Sequence, residues 1–202
     1  AGSGLDQLAN FRTLRNALAF RCMYSFTPYV PRTFYIVDDI VEGALIDFNA
    51  FEFGGAGSRL NGMNVMGLPS GTVNKQSKIS WGTATVASAS PLIDFQNQIT
   101  SVRFEDLTFS YLGVSGPVDC CWLKDPGANL LVRNCSFRGT GGAASLTSLV
   151  VYATSAFIGG GYSGAYDSAT LFDNCAFWEI VDASSMFSLT TAAMAGRMTF
   201  RG

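Results

Sequence analysis

The chain has 202 residues, 48 % of them hydrophobic and 14 % charged, with a net charge of −2 and no histidine. That length suits one domain with a sizeable core, and a charged fraction well under the roughly 25 % of ordinary soluble domains implies an outside coated by Ser, Thr, Asn and Gly or covered by other subunits. Scattered Lys and Arg argue against nucleic-acid binding, no run of 18 apolar residues spans a membrane, and the lack of histidine excludes Ser-His-Asp and Cys-His catalysis and His-ligated metal within the chain.

In chain order, the first element is "SGLDQLANFRTLRNALAF". Leu5, Leu8, Phe11, Leu14 and Leu18 recur at spacings of three and four, with Ser3 and Asp6 placed as N-cap and capping-box partner. The spacing predicts an amphipathic helix over 4–20. Beyond Pro28 and Pro31 the text changes to "RTFYIVDDIVEGALIDFNAFEF", rich in β-branched and aromatic residues and broken by Gly and Asp, and from 32 to 202 the chain reads as short strands.

Those strands share a template. Aligned on a polar residue, "VRFEDLTF" (102–109), "LVRNCSF" (131–137) and "LFDNCAF" (171–177) put Phe104, Val132 and Phe172 in one column and Asp106, Asn134 and Asn174 in the next. Leu107, Cys135 and Cys175 make a third column, and Phe109, Phe137 and Phe177 a fourth. "RLNGMNV" reads as an earlier copy, with Leu60, Gly62, Met63 and Val65 in the four columns. "GRMTFRG" reads as a half-matching last copy, with Met198 and Phe200 in the final two columns and Arg197 in the polar one.

Apolar residues two apart share one face of a strand. Here the alternation slips once per copy, at a residue type that tolerates the left-handed backbone and bonds to its own neighbourhood. A strand, a tight Asn bend and a second strand, repeated with a variable loop such as "GGGYSGAYDSA" (159–169), describe coils of a parallel β-solenoid. Asn side chains stacked in one column can also hydrogen-bond along it.

The five cysteines (Cys22, Cys120, Cys121, Cys135, Cys175) are odd in number and form no C-x-x-C pair, so they read as buried free thiols of a protein folded in a reducing cytosol. Cys135 and Cys175 are expected to face inward and to stack one above the other. No metal or other cofactor is expected.

In its order of motifs the chain resembles the pectin-lyase-like superfamily of right-handed parallel β-helices, which includes phage tailspikes and pectate lyases. The resemblance covers residues 4 to about 177: the helix, then "PRTFYIVDD", then "GGAGSRLNGMNVMG", then "SPLIDF", a spacer and "VRFEDLTF". It implies an all-β, right-handed parallel β-helix forming one domain over 1–202, whose early helix caps the open N-terminal end and whose coils are free to continue past residue 202. The fold carries lyases, hydrolases and purely structural or adhesive proteins, so function has to come from a site.

Without histidine, the chemistry left to such a fold is that of carboxylates. Asp119 and Asp125 flank "CCWLK" and could converge across a turn with Lys124 as base, which makes them the best catalytic candidates. Asp38 with Asp39, and Glu105 with Asp106, are adjacent in sequence and so point to opposite faces of a strand. Asp173, one coil above Arg133, reads as an outward cross-strand ion pair. Aromatic side chains can stack on sugars or on a neighbouring subunit; Trp122, Trp178, Tyr162 and Tyr166 are the candidates, with Trp178 pointing out if Phe177 points in.

The composition and the resemblance together lead to the expectation of a structural and adhesive component of a virion or extracellular assembly. It would be a tailspike-like homotrimer touching other structural proteins or a surface polysaccharide. A polysaccharide lyase or glycosidase is the alternative, and a capsid coat or decoration protein a further one.

Overall fold

Period-two apolar runs bounded by single polar residues become strands of two to five residues, each too short to stand alone. The computed structural model describes residues 11–24, 32–48, 60, 62–68, 76–81, 92–95, 101–111, 121–124, 129–139, 149–153, 169–178, 187–189 and 197–202. Within them lie one helix, α1 (Leu14–Tyr24), and sixteen strands: β1 (Arg32–Ile36), β2 (Ile40–Glu42), β3 (Ile46–Asp47), β4 (Met63–Gly67), β5 (Ser77–Trp81), β6 (Ile93–Asp94), β7 (Ser101–Glu105), β8 (Leu107–Tyr111), β9 (Cys121–Lys124), β10 (Asn129–Arg133), β11 (Ser136–Arg138), β12 (Leu149–Ala153), β13 (Ala169–Asp173), β14 (Ala176–Trp178), β15 (Phe187–Leu189) and β16 (Arg197–Arg201).

Every third strand joins the same sheet. The first sheet runs β1-β4-β7-β10-β13-β16, the second β2-β5-β8-β11-β14 and the third β3-β6-β9-β12-β15. The pairings along each sheet are parallel. The described structure is therefore an all-β fold of parallel sheets with one short helix. Each circuit of the chain lays one strand on each sheet, so a residue meets its counterparts one circuit before and one circuit after.

The core is built from these columns. Val65, Phe104, Val132 and Phe172 follow one another in register on the first sheet, and Ile40, Ile79, Phe109, Phe137 and Phe177 on the second. The rings of Phe109, Phe137 and Phe177 stack at 4.9 and 5.5 Å with planes 7° and 11° apart. Phe104 meets Phe109, and Trp122 meets Phe137, edge to face at 5.5 and 5.6 Å. Offset stacking and edge contacts are the favoured arrangements for such rings.

The bend between the first two sheets falls at the residues that the template singles out. Asp106, Asn134 and Asn174 have φ of 57°, 51° and 52°, the left-handed region in which Asn and Asp are least penalised among residues with a side chain. Asn134 Nδ2 donates to Asp106 Oδ1 at 3.1 Å and Asn174 Nδ2 to Asn134 Oδ1 at 2.9 Å. The backbone N–H groups of the same residues donate to the carbonyls of Arg133, Asp173 and Arg201 in the next circuit. Gln76 fastens this corner from outside: its Nε2 donates to the Asn134 carbonyl, and its Oε1 accepts from the hydroxyls of Thr108 and Ser136.

Three expectations are corrected. Met63 pairs with Val102, and Val65 with Phe104, so the early copy of the template is shifted by five residues and Gly67, not Gly62, lies under Asp106. Glycine is required there because a Cβ would run into the Asp106 backbone carbonyl. The last copy slips in the same sense: Phe200 pairs with Phe172 and Arg201 with Asp173, which leaves Gly202 rather than Arg197 at the bend. Alternating apolar residues fit either arm of a bend equally well, and only pairing with the next circuit chooses between them.

The third correction concerns the helix. Phe11 to Thr13 are not helical, and α1 runs on to Tyr24. Its start is set by two oxygen acceptors: Thr13 Oγ1 takes the N–H of Asn16 at 3.2 Å, and the Glu42 carboxylate, from β2, takes those of Leu14 and Arg15. Exposed helical N–H groups need such partners. Ser3 and Asp6 lie outside the described residues. Leu14, Leu18 and Cys22 are buried, and α1 packs against β2, which is the first strand of its sheet.

Candidate functional site

Just before the bend, on the outer face of the first sheet, one column reads Tyr35, Met66, Glu105, Arg133, Asp173, Arg201 in register. Its last four members alternate in charge. Arg133 Nη1 lies 3.3 Å from Glu105, and its Nε donates to Asp173 at 3.0 Å; Arg201 donates to both oxygens of Asp173 at 2.8 and 2.6 Å. Arg103, two residues before Glu105, also bonds to that carboxylate. The expected Arg133–Asp173 pair is thus part of a longer network.

The network has a covered layer and an outer layer. The side chains of Glu105 and Asp173 are 8 % and 13 % exposed, while that of Arg201 is 66 % exposed. Hydrogen bonds from Arg201, and then Arg133, hold the Asp173 carboxyl below the usual range, at about 2, because they favour the ionised form. Arg201 is shifted up by the same contacts. Three guanidinium groups over two carboxylates give this face a polar, hydrogen-bonding exterior.

Of the predicted aromatic contacts, Trp178 is 60 % exposed beside inward-facing Phe177. Trp122 is 2 % exposed and packs on Phe137, so its ring belongs to the core and offers no face to a sugar; strand β9 turns that position inward. Tyr162 and Tyr166 lie outside the described residues. So do Asp119 and Asp125, while Lys124 is placed through its backbone as the last residue of β9.

The register of the third sheet lines Lys124 up with two carboxylates that sequence reading missed. Asp47 pairs with Asp94, and Asp94 with Lys124, making an acid, acid, base column in which Asp94 is buried. Their separation in sequence carries no signal of this; only the stacking of circuits does. Among the described residues no helix is long and apolar enough to cross a membrane. No family model, no curated protein and no solved structure matches the chain.

The two ends of the stack differ. At the β1–β2–β3 end, α1 packs against β2. At the other end Phe200, in the core column of Phe172, is 54 % exposed. A cavity of about 230 Å³ opens there between Phe172, Cys175, Phe177, Phe200 and Arg201. Cys135 is buried and Cys175 partly buried. Burial raises both thiols above the usual range, because the thiolate is the form that loses hydration. The Cys175 thiol donates to the carbonyls of Val132 and Asp173.

Proposed function

We propose that the chain is a right-handed parallel β-helix of the pectin-lyase-like kind, acting as a structural and adhesive component of a virion or extracellular assembly. The observation that carries this reading is the continuity of its columns. The polar ladder from Asp106 to Asn174, the ring stack from Phe109 to Phe177 and the charge column from Glu105 to Arg201 all run along one direction through successive circuits. Parallel strands joined by crossovers are right-handed almost without exception, and a stack in which each circuit is held by its neighbours makes a stiff rod suited to presenting loops.

The low charge of the whole chain and the exposed Trp178, Tyr35, Val37 and Val41 side chains support contact with neighbouring proteins, in a tailspike-like homotrimer or as a coat or decoration protein. Light scattering on the purified chain tests the assembly: a trimer is expected, and a stable monomer at micromolar concentration sinks it. Isolation of particles bearing the chain tests the location.

The column of Asp47, Asp94 and Lys124 favours a second reading, a polysaccharide lyase or glycosidase, because paired carboxylates on neighbouring strands are what glycoside cleavage uses. Incubation with a panel of acidic and bacterial surface polysaccharides decides between the two. Cleavage that Asp94→Asn or Asp119→Asn abolishes would replace the structural reading with this one.

A further inference from the structure

Exposed apolar side chains gather in the first two circuits. Of the seven large hydrophobic side chains exposed among the described residues, Phe11, Tyr35, Val37, Val41 and Leu68 belong there. Tyr35 pairs in register with Met66, and Leu68 donates its N–H to the Ile36 carbonyl, which sets it beside Val37. Val41 lies across the corner, in β2. A single exposed apolar residue is ordinary on a protein surface, but a contiguous group marks a contact.

The charges differ on the two sides of β2. Before it, the Asp38 side chain is exposed and has no ion pair or hydrogen bond among the described residues, whereas Asp39 is paired with Lys78 at 3.5 Å. Beyond it the sign reverses. The segment from Phe11 to Tyr24 contains Arg12, Arg15 and Arg21 and no acid, and the start of α1 is held by Glu42, the last residue of β2. Arg12 is exposed with no partner among the described residues, beside Phe11, whose ring meets Phe20 at 5.1 Å. One side thus offers apolar side chains with an unpaired carboxylate, the other an exposed ring with an unpaired guanidinium.

We propose that this corner is a contact between copies of this chain: Tyr35, Val37, Asp38 and Leu68 of one copy receive Phe11 and Arg12 of the next, and Arg12 pairs with Asp38 inside an apolar surround. A second copy is the occupant because the chain carries the complement, in charge and in apolar character, at the same level of the stack. Pairing the corner with itself would instead set Asp38 against its own copy, and like charges repel. A head-to-tail contact with no rise along the stack closes into a ring rather than a filament. The inference rests on the reading of the chain as a homo-oligomeric assembly component and deepens it by naming the surface.

The test is a charge exchange on the whole chain, read by light scattering and sedimentation across a range of protein concentrations. Asp38→Arg alone and Arg12→Asp alone should each weaken association at least about tenfold, and the double exchange should recover most of the loss. Far-UV circular dichroism should be the same in all four chains, since neither side chain has a partner within its own chain. A double exchange that stays dissociated overturns the proposal, as do single exchanges that associate like the parent. An assembled parent that is indifferent to the exchanges refutes this inference alone. A parent that stays monomeric refutes the assembly reading with it, and a chain that assembles through this pair yet is absent from every particle or extracellular assembly refutes only the proposed location.

Discussion

The tetrapeptides Asn134-Cys135-Ser136-Phe137 and Asn174-Cys175-Ala176-Phe177 have nearly the same sequence and the same bend, with φ of 51° and 52° at the Asn. Their surroundings differ. In the first, Cys135 and Phe137 are buried between two circuits; in the second, Cys175 and Phe177 have a circuit on one side and a cavity on the other. The local sequence sets the backbone, and the neighbouring circuit sets how much apolar surface is removed from water. Stability in a stack of this kind resides in the interfaces between repeats as much as in the repeats.

The largest contrast is expected at the rings. Phe137→Ala should cost about 3–5 kcal/mol, since it empties a site packed by Phe109, Phe177, Trp122 and Phe172. Phe177→Ala, at the open end, should cost about 1–2 kcal/mol, the worth of a ring already partly in water. Urea denaturation of the two variants measures the difference, and equal losses would break the comparison.

The bend column offers the next test. Gly67→Ala should destabilise by about 1–3 kcal/mol, because the new methyl meets the Asp106 carbonyl inside the stack. At the Asn positions, Asn134→Ala forces a left-handed alanine, at about 1–2 kcal/mol, and also removes two side-chain hydrogen bonds. Asn134→Gly keeps the backbone and should lose only about 1 kcal/mol for those bonds. If the two variants prove equally stable, φ at the bend is not what Asn supplies.

The smallest effect sharpens the comparison by pH. Asp173 in the folded chain titrates at about 2, below its ordinary 3.8. A depressed carboxyl contributes stability that is fully present above 3.8 and is lost as pH falls from there towards 2. The pair is on the surface, so the contribution is modest and weakens with salt. Asp173→Asn should flatten the acid limb of the stability profile in that window and lower neutral-pH stability by the same modest amount; an unaltered acid limb would remove the charge column from the account.

Much of the central architecture is legible in the sequence alone. Asp106, Asn134 and Asn174 stood out because a polar residue interrupting a period-two apolar run has few uses other than a bend, and the flanking columns follow from the pleat. Reading failed at Met63–Gly67 and Arg197–Gly202, where glycine replaces Asn and the apolar alternation fits two registers five residues apart. It failed at Trp122 too, since an aromatic residue in a strand faces in or out according to which strand it pairs with, and nothing in "CCWLK" says which.

The same division holds for the candidate site. Trp178 could be placed outside from the inward position of its neighbour. The charge network of Glu105, Arg133, Asp173 and Arg201, the carboxylate column of Asp47 and Asp94, and the cavity beside Phe177 are contacts between circuits, and no local pattern encodes them.

The sequence by itself determined that the strands are short, where the central left-handed bends fall and which apolar columns flank them, because those depend on φ preferences and on alternation over a few residues. Only the tertiary structure decided the register of the first and last circuits, the helix start at Thr13 under the Glu42 carboxylate, and the burial of Trp122. Each of these depends on which distant strand supplies the hydrogen bonds and the covering side chains.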